Sequence, residues 1–216
     1  MVKKMMNTQK ENIVNVAQKA FNSGLMAGTS GNLSEFDREK RIIAITPSNT
    51  DYQTMTADDI VLITPDGEVL EGKRKPSSEW RLHAELYEQL PNANSVFHTH
   101  SPRATSFAVL HEPIPIILFE MLPFLGGDIP LAPIGLPGSP GVGLGAAKVM
   151  KNRFGCLLAN HGVVTVGKDA QQAYLRAIYA EDAATVYHMA RQVGNPVPVP
   201  KEAADTLRER LGLPND

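Results

Sequence analysis

The chain is poor in cysteine. It has one, Cys156, among 216 residues, so an intrachain disulfide is excluded and a reducing compartment fits. It also lacks an excess of either charge. With 21 basic and 23 acidic residues the formal net charge is −2, and no long basic run is present, so the electrostatic footprint of a nucleic-acid binder is missing. No apolar stretch reaches the length of a membrane span. The opening MVKKMMNTQK carries lysines with no apolar segment behind them, which argues against a secretory leader. No internal repeat is visible. These absences leave a cytoplasmic protein without a nucleic-acid or membrane partner. One domain over residues 1–216 is the simplest organisation for this length.

What is present is a mixture of helical and strand patterns. Apolar positions at Ile13, Val14, Val16, Ala17, Ala20 and Phe21 predict an amphipathic helix over 8–23, with Gly24 as its stop. RIIAITP (41–47) reads as a strand, and DIVLITPDGEVLEG as a hairpin around Pro65-Asp66-Gly67. SSEWRLHAELYEQL reads as a helix with a serine N-cap. Residues 95–99 read as a strand, and Ser101-Pro102 as the start of the next helix. The Pro- and Gly-rich stretch 112–143 predicts a long loop around short strands. KNRFGCLLANHGVVTVGKD predicts two strands meeting at Asn160-His161-Gly162. A strong helix follows over 169–192 and a short one in the tail. Without regular βαβ alternation, the expected architecture is an antiparallel sheet flanked by helices.

The chemistry is concentrated in a few short motifs. FHTH (97–100) places His98 and His100 two apart on a strand, where residues i and i+2 share a face. His161, in the NHG turn between two apolar strands, supplies a third imidazole. Three nitrogens with an open fourth position is the pattern of a catalytic zinc site. His83, His111 and His188 read as ordinary surface or core histidines. Glu79 opens a helix, where a carboxylate serves equally well as a cap. With His83 four residues on, it also forms a competing metal pair on one helix face. Three clusters of small polar residues, AGTSGNLS (27–34), TPSN (46–49) and KPSSE (75–79), sit at strand ends or helix starts and are candidates to converge on one phosphate. GVGLGA (141–146) matches a dinucleotide fingerprint formally but follows a proline-rich loop, so the strand–turn–helix unit it needs is missing.

The order GTSGNLS, TPS, KPSSE, HTH and NHG resembles the class II aldolase/adducin family over roughly residues 8–195. The resemblance implies a three-layer α/β/α sandwich with a central, mostly antiparallel sheet, assembled as a C4 homotetramer with active sites between subunits. It implies a divalent metal, usually Zn2+, held by His98, His100 and His161, with Glu79 completing the metal site and acting as proton-transfer base. Thr29, Gly31, Asn32, Ser48, Ser77 and Ser78 match the positions that cradle the phosphate of a small phosphorylated sugar, Gly31 through its backbone. Asn49 stands where these aldolases usually carry glycine, and asparagine tolerates the left-handed backbone such a turn needs.

The implied reaction is retro-aldol cleavage of an L-fuculose-1-phosphate-like ketose 1-phosphate to dihydroxyacetone phosphate and an aldehyde. The chain departs from the fuculose-type pattern in two places. LFEMLPFLGGDIP (118–130) carries Glu120 and no tyrosine, and the tail KEAADTLRERLGLPND has no tyrosine either. The alternatives within the family are a dehydratase or decarboxylase of a sugar phosphate, a 4-epimerase, or a non-catalytic adducin-like module. The epimerases carry Asp at the position of Glu79 and a second Asp near Pro123, and this chain has neither. The adducin-like reading is disfavoured by the three intact histidines.

Overall fold

The computed structural model describes residues 2–214; Met1 and residues 215–216 of the tail lie outside the described part, as do the side chains of residues 2–6. Chain order runs α1 (Val2–Asn22), β1 (Asn32–Asp37), β2 (Ile42–Ile45), β3 (Val61–Ile63), β4 (Val69–Glu71), α2 (Trp80–Gln89), β5 (Ser95–Thr99) and α3 (Pro102–Leu110). It continues through α4 (Met121–Leu125), β6 (Leu131–Ala132), α5 (Pro140–Val149), β7 (Gly155–Leu158), β8 (Gly162–Gly167), α6 (Ala170–Val193) and α7 (Lys201–Leu211). The strands form one sheet in the order β4-β3-β2-β1-β5-β8-β7-β6. Its pairings are antiparallel except β6 with β7, which is parallel.

Strand alternation sorts the apolar residues onto two faces. Ile43, Ile45, Val96, Val164 and Val166 pack with Leu82 and Leu86 of α2 and with Val142 and Ala146 of α5. On the opposite face, Leu33, Ala44, Leu62 and Phe97 pack with α1 and the first turns of α6. A third cluster joins α3, α4 and the middle of α6 beneath Leu157 and Val163. Helices therefore cover both faces of a mostly antiparallel sheet, the sandwich expected above. His98 follows Val96 by two residues, so it shares the face that α2 covers.

Three expectations need correction. Residues 112–143 are not mainly loop: α4 and the start of α5 lie within them. α5 was hidden because its three glycines weaken the helical pattern. Two of them, Gly143 and Gly145, serve packing. A Cβ on Gly143 would come within 2.6 Å of Glu85 Cβ and 3.0 Å of the Leu82 carbonyl, so α2 and α5 approach too closely there for any side chain. The serine N-cap of α2 is also displaced. The cap position is Glu79, whose side chain makes no cap bond, while Ser77 Oγ, two residues earlier, accepts from the Glu79 amide at 3.3 Å. The first helix is longer than expected, beginning at Val2.

Candidate metal centre

β5 carries His98, and His100 lies just past the strand's end. Their Nε2 atoms are 3.0 Å apart. His161 comes from the tight connection between β7 and β8. There Asn160 takes a left-handed conformation, φ 55°, its amide donates to the Ala108 carbonyl at 3.1 Å, and its Oδ1 accepts from His111 Nε2 at 2.5 Å. These contacts hold the turn against the end of α3. Glycine is required next in the chain: a Cβ at Gly162 would collide with the Thr99 carbonyl and lie 3.0 and 3.1 Å from the rings of His100 and His98.

Glu79, 9% exposed, reaches the same point from the start of α2. Its Oε2 is 3.1 Å from His98 Nε2 and its Oε1 is 3.1 Å from His161 Nε2. One donor atom from each of Glu79, His98, His100 and His161 can be chosen so that all four lie within 4.8 Å of one another. The carboxylate is thus turned away from the helix terminus and into the histidines. His83 is not part of this group: its ring is engaged by Ser34 and Asn32.

The donor set fits a cation. His98 Nδ1 donates to the Val163 carbonyl at 2.9 Å, which leaves the Nε2 lone pair facing the cluster, the arrangement seen in metal-binding histidines. Glu79 Oε1 and His161 Nδ1 are buried without a hydrogen-bond partner, and an orphaned buried acceptor is costly unless something positive sits beside it. Burial, followed by the neighbouring imidazoles of His98 and His161, pushes the His100 pKa down to about 4, so its ring is neutral near pH 7, the ligating form. Burial alone would raise the Glu79 carboxyl, but the rings of His161 and His98 beside it outweigh burial and hold the group well below the usual carboxylate range. Three imidazoles and one carboxylate suit a borderline-soft divalent ion such as zinc.

Two of the polar loops are joined to each other. Pro47 and Pro76 form an antiparallel bridge, the Ser48 amide donates to Lys75 O at 3.0 Å, and the Ser77 amide to Thr46 O at 3.1 Å. TPSN and KPSSE therefore run side by side. Asn49 is left-handed, φ 51°, the conformation anticipated for a residue in glycine's place. Thr29, Asn49 and Ser78 are exposed, Ser48 and Gly31 half-buried, and Ser77 buried. Asn32 stands apart from the others by its partner: it is buried like Ser77, but its Nδ2 donates to Glu79 Oε2 at 3.0 Å. Sequence reasoning missed the carbonyl behind His98 and the His111 brace. The first leaves no side-chain signal, and the second joins residues 49 apart in the chain.

Residues 11–188 match the family described as Class II Aldolase and Adducin N-terminal domain. The chain is 34% identical over 207 residues to 5-deoxy-D-ribulose 1-phosphate aldolase of Bacillus thuringiensis serovar kurstaki, covering 96% of this chain and 97% of that protein. It is 33% identical over 193 residues to L-fuculose phosphate aldolase of Escherichia coli (strain K12), covering 89% and 88%. A solved L-fuculose 1-phosphate aldolase matches with a TM-score of 0.90 and 34% identity, over 95% of this chain and 97% of that one. The α/β sandwich holds a buried histidine–carboxylate cluster at the start of α2, and its named relatives are aldolases, enzymes of the metal-dependent lyase kind. The chain belongs to the class II aldolase and adducin family, on its aldolase side.

Proposed function

We propose that the protein is a zinc-dependent aldolase that cleaves a ketose 1-phosphate to dihydroxyacetone phosphate and a short aldehyde. The observation that carries the reading is the Glu79 carboxylate, buried between His98 and His161 at 3.1 Å from each, with Oε1 lacking a hydrogen bond. His98, His100, His161 and Glu79 would hold the ion, which when bound supplies a Lewis acid for the substrate's carbonyl and hydroxyl oxygens. In the reaction the C4 hydroxyl loses its proton to water and the C3–C4 bond breaks. Its electron pair passes into the C2 carbonyl, leaving an enediolate that is then protonated at C3. The proton shed by the C4 hydroxyl passes through that water to the Glu79 carboxylate, which returns it at C3. Thr29, Gly31, Ser48, Asn49, Ser77 and Ser78 would line the phosphate end, where fixing a remote group converts binding energy into orientation, while Asn32 turns its side chain to Glu79.

The substrate we favour is 5-deoxyribulose 1-phosphate. The Bacillus relative acts on this class and aligns over more of the chain than the E. coli one, and the segment at Glu120 and the tail lack the fuculose-type tyrosines. L-Fuculose 1-phosphate is the second reading, supported by the match to that aldolase. Both sugars end in a methyl group, so the aldehyde side should be apolar. The protein would work in the cytoplasm as one domain per chain, in a C4 tetramer. Ile134, Leu136, Val193 and Val197, each at least 70% exposed, are apolar surface that neighbouring copies would cover. The test is a panel of ketose phosphates with products identified by NMR. Dihydroxyacetone phosphate plus acetaldehyde from 5-deoxyribulose 1-phosphate is expected. Turnover of neither sugar, or a product that keeps all its carbons, would sink the aldolase reading.

A further inference from the structure

Helix α2 carries more than Glu79 on its inner side. Glu79, His83 and Tyr87 recur every four residues and so share one helix face. They meet Asn32 and Ser34, two apart on one face of β1. His83 Nε2 is 2.5 Å from Asn32 Oδ1. His83 Nδ1 is 2.6 Å from Ser34 Oγ, and Ser34 Oγ is 2.6 Å from Tyr87 Oη. With Asn32 Nδ2 on Glu79 Oε2, the five side chains form one unbroken series across the interface of α2 and β1. His83 and Ser34 are fully buried, with Tyr87 at 2% and Asn32 at 4% exposure, so water cannot substitute for any of these contacts.

The series has one direction. A carboxylate only accepts, so the amide NH2 of Asn32 must face Glu79 and its carbonyl must face His83. His83 must then donate from Nε2. A neutral ring leaves Nδ1 as acceptor, so Ser34 donates to it and in turn accepts from Tyr87. Burial, with His98 nearby, pushes the His83 pKa down to about 3, which agrees with a neutral ring. If the ring carried its proton on Nδ1 instead, Asn32 would be driven to turn over. Its carbonyl oxygen would then face the Glu79 carboxylate, acceptor against acceptor.

We propose that His83 is a positioning residue: through Asn32 it fixes how the Glu79 carboxylate is held and aimed, and Ser34 and Tyr87 fix the tautomer that lets it do so. The proposal rests on Glu79 acting as the base. It adds that this base is oriented by a tautomer-locked series originating on its own helix, in the manner by which partners behind a ligand tune it.

Two measurements test it on the full protein. The first is the tautomer of His83, read from ring 15N shifts at neutral pH and assigned with His83→Gln. The expected result is a proton on Nε2 and a lone pair on Nδ1, and in Ser34→Ala that fixed state should give way to a mixture. A proton on Nδ1, or a doubly protonated ring, would overturn the proposal whatever the enzyme's activity. The second is turnover of 5-deoxyribulose 1-phosphate and L-fuculose 1-phosphate. His83→Leu should lose about 10- to 100-fold in kcat, the usual cost of removing a partner behind a functional ligand, with KM and metal content held. His83→Gln, which can still donate to Asn32, should recover most of it. Wild-type kcat in His83→Leu, or a loss in which His83→Gln shows no recovery, would overturn the proposal. Should His83→Leu not fold, Ser34→Ala takes its place with a smaller expected loss, and unchanged kcat there counts against the series. Failure of the base reading is separately visible, because it would leave Glu79→Gln active while the His83 tautomer stayed as described.

Discussion

Glu79→Gln keeps the side-chain volume and removes the charge and the basic oxygen. In the folded protein the carboxylate has three neighbours: Asn32 Nδ2 at 3.0 Å, His98 Nε2 at 3.1 Å and His161 Nε2 at 3.1 Å. A glutamine can still accept from Asn32 through its one oxygen, and its NH2 then faces His161. The packing around α2 is unaltered, so the variant should fold. What it cannot do is take up and return a proton. Loss of a general base costs roughly 10²- to 10⁴-fold, or about 2.7 to 5.4 kcal/mol of transition-state stabilisation at ~1.36 kcal/mol per tenfold. We expect turnover of the ketose 1-phosphate to fall by that factor while KM changes little. The assay is release of dihydroxyacetone phosphate followed through its reduction, with metal content measured on the same sample by elemental analysis. Near-wild-type turnover at full metal occupancy would refute the reasoning and move the proton-transfer role to another group. A variant that has lost its metal would instead show Glu79 to matter chiefly as a ligand.

Ser78→Ala should mainly raise KM for the phosphorylated substrate and leave metal content unchanged. In the wild type, phosphorylated ketose should be preferred over the free sugar by at least about 10³ in kcat/KM, ~4 kcal/mol, the worth of two or three charge-assisted hydrogen bonds. Equal handling of both sugars would show that these loops are no phosphate cradle. Stability should fall in acid partly through His83. Its folded pKa, about 3, lies below the usual value of about 6.5, so the unfolded chain takes up the extra proton. The stabilisation is complete above about pH 6.5 and is lost as pH falls toward about 3, at up to ~1.4 kcal/mol per pH unit. Urea unfolding of wild type and His83→Gln at stepped pH isolates this contribution, since the two stabilities should converge in acid. Parallel curves would mean that His83 is not held neutral.

The parts of the fold legible in the sequence were those with clean periodicity. β2, β5, β8 and α6 fall where alternation or helical spacing puts them, and the Pro65-Asp66-Gly67 turn joins β3 to β4 as its residues dictate. α5 was lost because glycine at 141, 143 and 145 lowers local helix propensity, while the close approach of α2 that calls for Gly143 is a tertiary fact. The three histidines were legible because each sits where backbone geometry constrains it, a strand pair and a turn before glycine, whereas Glu79 at its helix start read equally well as a cap and joined them only through the family resemblance. The role of Asn32 was less legible. Its motif reads as phosphate loop, yet its side chain is spent on Glu79 and His83, a fact set by the packing of α2 on β1. His83 was weighed as a metal partner of Glu79 from its spacing. The spacing places both on one face, but only the tertiary contact with β1 decides which partner each takes.

The most direct test is a zinc back-titration of the chelator-treated protein, following cleavage of 5-deoxyribulose 1-phosphate as metal is added. If His98, His100, His161 and Glu79 hold the ion that the reaction needs, activity should be absent without metal. It should rise linearly and saturate at about one equivalent per chain, the stoichiometry of a single three-histidine site, and His100→Ala should not recover at that stoichiometry. Full activity in the metal-free protein, or identical titrations for wild type and His100→Ala, would contradict the account.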